Sequence, residues 1–553
     1  MTRPLASIAG PLRQPVFRRI WTASLFSNLG QQVQAVAAAW TMVQLGSGPG
    51  MVALVQTATM LPIVLIALPA GAIADMYDRR KAAIVALLIA ASGAALLLAF
   101  TFAERLSPPV LLAGCFIVGC GSALFSPAWQ ASVTEQVGRE AMPAAVARYG
   151  VSANLARSVG PAVGGIIVAT VGAAAAFTVN VLLYGPIIVA LLMWRRVHVP
   201  PRLPPEGIGH AIRSGLRYVG YSPPIRRVLA RALLASVGAA GIYAMAPLVA
   251  SELLHGGASV YGALLGSFGA GAVSAILIVG PLRDRLSAQQ AMACCGVATG
   301  SAIVAMALSP LLVLTAAAMF VAGGSWMVCM AVSNVAVQLS APRWVAGRAL
   351  ATFQATVACG LALGAWGWGR LATEIGIAPT LLAAGALMLV SPLLGLLIPL
   401  TDVRGVDNES VPVEREPEVA MALTGRSGPI VIERDYDVPE HSAREFYSLM
   451  MQVQRVRERN GAYGVTLSRD IADPVRWVQR YHYPTWHDYL RARDRPTQTE
   501  RNLGLQVAAL LVEGSGVGYR RMLERPFGSV RWTDATPDRD GAVLQLPTGD
   551  GGS

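Results

Sequence analysis

The chain has 553 residues, 54% of them hydrophobic and only 14% charged, with a mean hydropathy of +0.51. A soluble globule of this length cannot hide that much apolar surface, so an ordinary water-soluble protein is excluded. The formal charge of +12 comes from arginines, Lys81 being the only lysine; they lie in loops between apolar runs, which points to membrane topology and not to nucleic acid.

Residues 1–16 form a cytoplasmic N-terminal segment with Arg3 and Arg13 and no apolar core, so no cleavable leader is expected. Twelve stretches then reach the roughly 20 residues needed to cross about 30 Å of hydrocarbon. Six of them (17–43, 50–74, 82–103, 108–131, 147–170 and 172–194) make a first half, 17–194. A cytoplasmic central loop, 195–223, leads to six more (224–252, 258–281, 288–308, 310–336, 347–371 and 376–400) in a second half, 224–400. Within a bilayer such segments must be helical, because each has to satisfy its own backbone hydrogen bonds. The basic residues fall in alternate loops: Arg79, Arg80 and Lys81; Arg139 and Arg148; Arg195 to Arg227; Arg283 and Arg285; Arg343 and Arg348. By the positive-inside rule those loops and both termini are cytoplasmic.

The second half echoes the first. Gly71-Ala-Ile-Ala-Asp75-Met-Tyr-Asp78-Arg79-Arg80 follows span 2, and Gly280-Pro-Leu-Arg-Asp284-Arg285 follows span 8. In each, the glycine predicts a close helix crossing, and the aspartate an acceptor for a facing helix N-terminus or an arginine. Arg148 answers Arg348, Asn154 answers Gln354, and Gly160 and Gly164 answer Gly360 and Gly364. Duplicated halves of this kind enclose a midplane site and rock about it.

A charged group deep in a membrane is costly and therefore a functional candidate, and Arg157 lies about ten residues into span 5. In span 1, Asn28, Gln31 and Gln32 share a face by their i, i+3, i+4 spacing. With Gln56, Gln130, Asn154, Asn180, Tyr243, Asn334 and Gln354 they either line a substrate path or hydrogen-bond between helices; the sequence leaves both readings open. No Asp or Glu stands in the middle of a span, so Asp75 and Glu135, at the membrane edge, are the proton-coupling candidates. The six cysteines lie in apolar runs without metal-ligand spacing, and no P-loop is present. No catalytic residue, cofactor or metal is expected.

After Leu400 the chain turns polar: 401–428 reads as a linker, 429–532 as a small α+β domain and 533–553 as a disordered tail. Strands are expected at 429–436, 464–469, 475–482 and 527–532, with helices at 440–458 and from 485. The order β-α-β-β-α-β predicts a cytoplasmic ferredoxin-like domain. His482 and His487, among Trp477, Tyr481, Trp486 and Tyr489, read better as core or dimer interface than as a metal or heme pocket.

Gly71-x-x-x-Asp75-x-x-x-Arg79-Arg80 resembles the signature of the major facilitator superfamily, and Gly160-Pro161-Ala-Val-Gly164-Gly165 its antiporter motif in span 5. Leu68-Pro-Ala-Gly-Ala-Ile-Ala-Asp75, Asn154-Leu-Ala-Arg-Ser-Val-Gly-Pro and Gly347-Arg-Ala-Leu resemble the bacterial branch of enterobactin-type siderophore exporters and macrolide-efflux-like proteins. The tail is similar to domains of the antibiotic-biosynthesis-monooxygenase type, which pair into dimers. The resemblance implies a twelve-helix major facilitator fold in a bacterial inner membrane. It also implies gating by Gly71, Asp75, Asp78, Arg79, Arg80, Gly280, Asp284, Arg285, Gly160, Pro161, Gly164 and Gly165, and proton-driven export of a small molecule. The expected function is a non-enzymatic exporter whose partners are lipid, a small-molecule substrate and protons, with self-association through the tail. A membrane-anchored enzyme or sensor acting through 429–532, or an importer, are the alternatives.

Overall fold

The computed structural model describes residues 13–137, 142–194, 208–400, 419–421, 423–493 and 497–524. The chain divides into two compact units, one of residues 1–212, 224–337 and 347–402, the other of residues 213–223, 338–346 and 403–553.

The first unit is helical. Its N-terminal half carries α1 (Pro15–Gln44), α2 (Pro49–Met76), α3 (Arg79–Phe102), α4 (Pro108–Gln136), α5 (Met142–Thr170) and α6 (Ala173–Met193). After α7 (Ile208–Gly220) follow α8 (Pro223–Leu248), α9 (Ala258–Arg285), α10 (Ala288–Leu308), α11 (Leu312–Ser340), α12 (Arg343–Ile375), α13 (Ile377–Val390) and the short α14 (Leu394–Leu397). Among the described residues ten helices are long and apolar enough to cross a membrane: α2, α3, α4, α6, α8 to α12, and α13 with its extension to Leu397. The helices α1 and α5 are as long, 30 and 29 residues, and residues Leu155–Thr170 of α5 form a shorter apolar stretch.

The sequence explains where the helices begin. Proline opens α1, α2 and α4, where a missing N–H costs nothing. Asp78 caps α3 by accepting from the Arg80 and Lys81 amides, and Ser287 with Gln290 forms a capping box on α10. Gly172 before α6 and Gly376 before α13 take the same left-handed backbone, φ 97° and 88°. The same glycine thus turns the chain at the same step of each half.

The segment read as a central loop contains a helix. In α7, Tyr218 and Val219 are buried, and the Arg459 guanidinium lies 5.1 Å from the centre of the Tyr218 ring. The rest of the second unit is a four-stranded sheet, β1 (Ile430–Asp437), β2 (Tyr463–Arg469), β3 (Arg476–Tyr483) and β4 (Gly518–Leu523), with α15 (Ala443–Asn460), α16 (Trp486–Arg493) and α17 (Gln498–Ala508). The strand order is β2-β3-β1-β4, every pair antiparallel, with Ile432 opposite Tyr481 and Arg521. Ile430, Ile432, Tyr481, Tyr483, Trp486 and Tyr489 share one core, and Tyr436, Phe446, Met450 and Trp477 another.

The strand expected at 527–532, like the 401–418 part of the linker and the tail 533–553, lies outside the described residues; the strand that pairs with β1 is β4. It is an edge strand whose Arg520 reaches Asp435 at 3.1 Å and Glu433 at 3.5 Å. Charges on an exposed edge replace the apolar alternation by which a strand is recognised.

Candidate functional site

The polar row of α1 is divided between two neighbours. Asn28 donates to Ser152 on α5 at 3.5 Å. A Cβ on Gly160 would stand 2.5 Å from the Gln32 Cβ, so α5 closes on α1 at Gln32 because Gly160 has no side chain. On the other side, fully buried Asn180 of α6 donates to Gln34. These side chains tie α1 to α5 and α6.

The second half repeats this crossing. A Cβ on Gly360 or Gly364 of α12 would lie 2.6 Å from Ser236 Cβ or the Val237 carbonyl of α8, as Gly160 and Gly164 of α5 abut Gln32 and Val33 of α1. The glycine echoes of the sequence therefore occupy equivalent crossings.

Between the halves, α5 runs antiparallel to α9. Gly165 faces Gly262 and Ala258, and Gly269 abuts the backbone of Arg157 and Ser158. Opposite them, α2 meets α12: Gly50 N–H donates to Thr373 Oγ1 at 3.2 Å and Thr57 Oγ1 to the Ala362 carbonyl at 3.1 Å. Trp40 stacks on Tyr261 with ring centroids 6.3 Å apart.

Arg157 emerges beside this crossing. Its side chain is exposed and lies within electrostatic reach of Tyr243, on α8 of the other half. Tyr243 packs edge-on against Phe268 (5.2 Å) and Trp326 (6.4 Å). The Arg157 cation of α5 and a cluster of three aromatic rings from α8, α9 and α11 thus come near one another across the two halves. A guanidinium can recognise an anionic or polar group, and aromatic rings an apolar or aromatic body.

The other candidates scatter. Gln130 is exposed and donates to Ser126 of its own helix at 3.2 Å; Gln354 is exposed, and Gln56 and Asn334 are half-buried. The side chains of Asp75, Glu135, Asn154 and Asp284 lie outside the described residues. Gly71 and Gly280 do not mark close crossings, for a Cβ on either meets nothing within 4 Å. The described polar contacts of the first motif lie in the loop that follows: Asp78 caps α3, beside Arg79, while Arg80 donates to the Leu192 carbonyl of α6 at 2.6 Å. Arg285 is exposed. Pro161 lies within α5, and its carbonyl stands 2.7 Å from where a Gly262 Cβ would be. Arg231, which the sequence places near enough to the helix end to snorkel, is buried and donates to Gln289 on α10. It lines a cavity of about 30 Å³ with Cys295, Trp326, Cys329 and Met388, room for about one water molecule. Sequence reasoning missed Phe268, whose place on α9 within a glycine-lined stretch was its available signal. Among the described residues no cluster of His, Cys, Asp and Glu is fit to hold a metal.

Residues 6–526 match the family model described as transmembrane secretion effector. The chain belongs to that family. It shares the major facilitator fold with solved transporters. A bacterial homologue of the human lysosomal transporter Spinster in an inward-facing conformation superposes with TM-score 0.57 at 14% identity, covering 71% of this chain and 98% of that one. The nucleoside transporter NupG gives 0.58 at 11% identity, covering 69% of this chain and all of that one. Among curated proteins, the multidrug efflux pump Tap of Mycobacterium tuberculosis is 32% identical over 228 residues, 37% of this chain and 51% of the relative. The staphyloferrin A transporter of Staphylococcus aureus is 21% identical over 262 residues, 47% of this chain and 65% of the relative. The chain thus spans about half the length of the Tap relative that it matches.

Proposed function

We propose that the chain is a twelve-span secondary transporter that exports a small amphipathic molecule across a bacterial inner membrane by alternating access. The observation that carries this reading is Arg157 of one half within electrostatic reach of Tyr243 of the other, which packs with Phe268 and Trp326. The helices α1 and α5, which match the ten in length, complete the twelve. Both termini lie with the basic loops, on the cytoplasmic side. The contacts of Trp40, Gly50 and Gly165 with the opposite half all lie at the end away from those loops, which suits a state open toward the cytoplasm. A drug, siderophore or secondary metabolite fits the site, and the efflux pump and siderophore transporter among the relatives support that class and the outward direction. Asp75 and Glu135 are the carboxylates that would couple export to protons. In the second unit, the order β2-β3-β1-β4 supports a ferredoxin-like domain, and its exposed edge strands offer a route to self-association.

The test is accumulation of ethidium and of a ferric siderophore in a strain lacking the gene, complemented with wild type or Arg157→Gln. Higher internal levels, restored to normal by wild type and not by Arg157→Gln, support the reading. Equal levels in all three strains overturn it, and insensitivity of export to a collapsed pH gradient removes the proton coupling.

A further inference from the structure

The second unit holds a cavity of its own. It has a volume of about 330 Å³, and its walls include Arg434 and Tyr436 of β1, Val453 and Arg457 of α15, and Leu503 and Val507 of α17. That volume falls at the low end of small-ligand pockets, about 300–1,000 Å³.

The charges of its walls do not balance. Glu500 also lines the cavity, but it is engaged: Arg459 holds its Oε1 at 2.6 Å, Asn460 donates to both its oxygens at 3.3 Å, and it closes the capping box of α17. Arg434 and Arg457 have no such partner. Among the described residues neither is in an ion pair with a carboxylate. The Arg434 Nε is buried and without a hydrogen-bond partner, while the guanidinium lies 5.0 Å from the Tyr519 ring centre. Arg457 donates through Nε to Gln479 at 3.0 Å and lies 4.3 Å from the centre of the Tyr481 ring. Both arginines are thus held in place by neutral groups. Taking a guanidinium partly out of water without a counter-charge is unfavourable, and an anion entering from solvent would offset that cost.

From the two unpaired arginines set above an apolar floor, we infer that this cavity binds a small organic monoanion, a carboxylate with a short alkyl or aryl body. The carboxylate lies between Arg434 and Arg457, and its body packs on Val453, Leu503 and Val507. The ligand would touch the same wall from which Glu500 holds Arg459 over Tyr218 of α7.

The test is calorimetric titration of the full chain in nanodiscs with benzoate, octanoate, inorganic phosphate and, as a neutral isostere, benzyl alcohol. Saturable binding of benzoate or octanoate is expected, with no binding of benzyl alcohol. Arg434→Gln and Arg457→Gln should each weaken it about tenfold or more, the loss of one charge-assisted contact. Arg434→Lys should keep most of the affinity, and Leu503→Trp should block the floor. The titration is repeated in Arg157→Gln, where the binding that remains and depends on Arg434 and Arg457 belongs to this cavity. Arg457→Gln and Leu503→Trp keep the test decisive if Arg434→Gln does not fold. The proposal is overturned if neither carboxylate binds, if benzyl alcohol binds as tightly, if phosphate alone binds, or if binding follows Arg157 and ignores Arg434 and Arg457.

Discussion

Gly165 and Gly262 meet backbone to backbone: a Cβ on Gly165 would stand 2.7 Å from the Gly262 Cα, and one on Gly262 would stand 2.8 Å from the Gly165 Cα. Real Cβ atoms do not tolerate such distances, so α5 and α9 approach this closely because both positions lack side chains. Gly165→Val or Gly262→Val should therefore abolish export while leaving the protein in the membrane. Gly71→Ala and Gly280→Ala, where a Cβ meets nothing, should be transported and expressed as wild type. Drug-susceptibility assays beside membrane immunoblots check both halves of this contrast.

Arg157 of one half lies within electrostatic reach of Tyr243 of the other, the pair that the proposed function assigns to the substrate. Arg157→Gln should lower export about tenfold or more, as expected for loss of a charged contact, and Arg157→Lys should recover only part of it, because the planar fork is lost. Tyr243→Phe should cost less than Tyr243→Ala if the ring, and not the hydroxyl, is what the substrate meets. Efflux rates at several substrate concentrations measure all four.

Glu500 is 8% exposed in its side chain and Arg459 20%. Breaking such a pair by removing one partner leaves a charge stranded, at a cost of about 3 kcal/mol or more. Glu500→Ala also opens the capping box of α17 by removing the acceptor of the Thr497 N–H, while the Thr497 hydroxyl still caps the helix. Thermal melts should show the second unit losing stability, and trypsin should cut after Arg217 faster in this variant and in Tyr218→Ala.

His487 packs against the chain at Gly425, donates its backbone N–H to the Gly425 carbonyl at 2.9 Å, and has Arg491 and Asp488 as charged neighbours. Burial, and then the Arg491 charge, hold its pKa below the ordinary 6.5. The sign follows: as pH falls below 6.5 the unfolded chain takes up the proton first, so the folded state loses stability on the acid side. Melting temperature of the second unit should be flat above about pH 7 and fall toward about pH 5. His487→Gln should flatten that slope.

The duplicated core was legible in the sequence because glycines at crossings are dictated locally: Gly160 and Gly164 announced Gly360 and Gly364. The paired turns at Gly172 and Gly376 were equally present but carry no motif around them. Other features depend on distant partners. The helix α7 owes its buried face to Arg459, more than two hundred residues away, and reads alone as a basic loop. The strand β4 hides behind Arg520 and Arg521, which an edge can expose, while the more apolar 527–532 drew the prediction. Arg434 was missed because a strand arginine suggests solvent. Its position two residues from both Ile432 and Tyr436 nevertheless puts it on the core face.

Among the described residues, the contacts by which the two halves meet at the end away from the basic loops contain no charge. They are glycine against glycine, Thr57 and Thr373 in neutral hydrogen bonds, and Trp40 on Tyr261. Ionic strength screens charge pairs and pH titrates them, but neither acts on bare backbone and neutral rings. A junction of this composition is therefore held with the same strength in dilute or saline, acid or neutral surroundings, and a cell can change its medium without changing how firmly this end of the protein shuts.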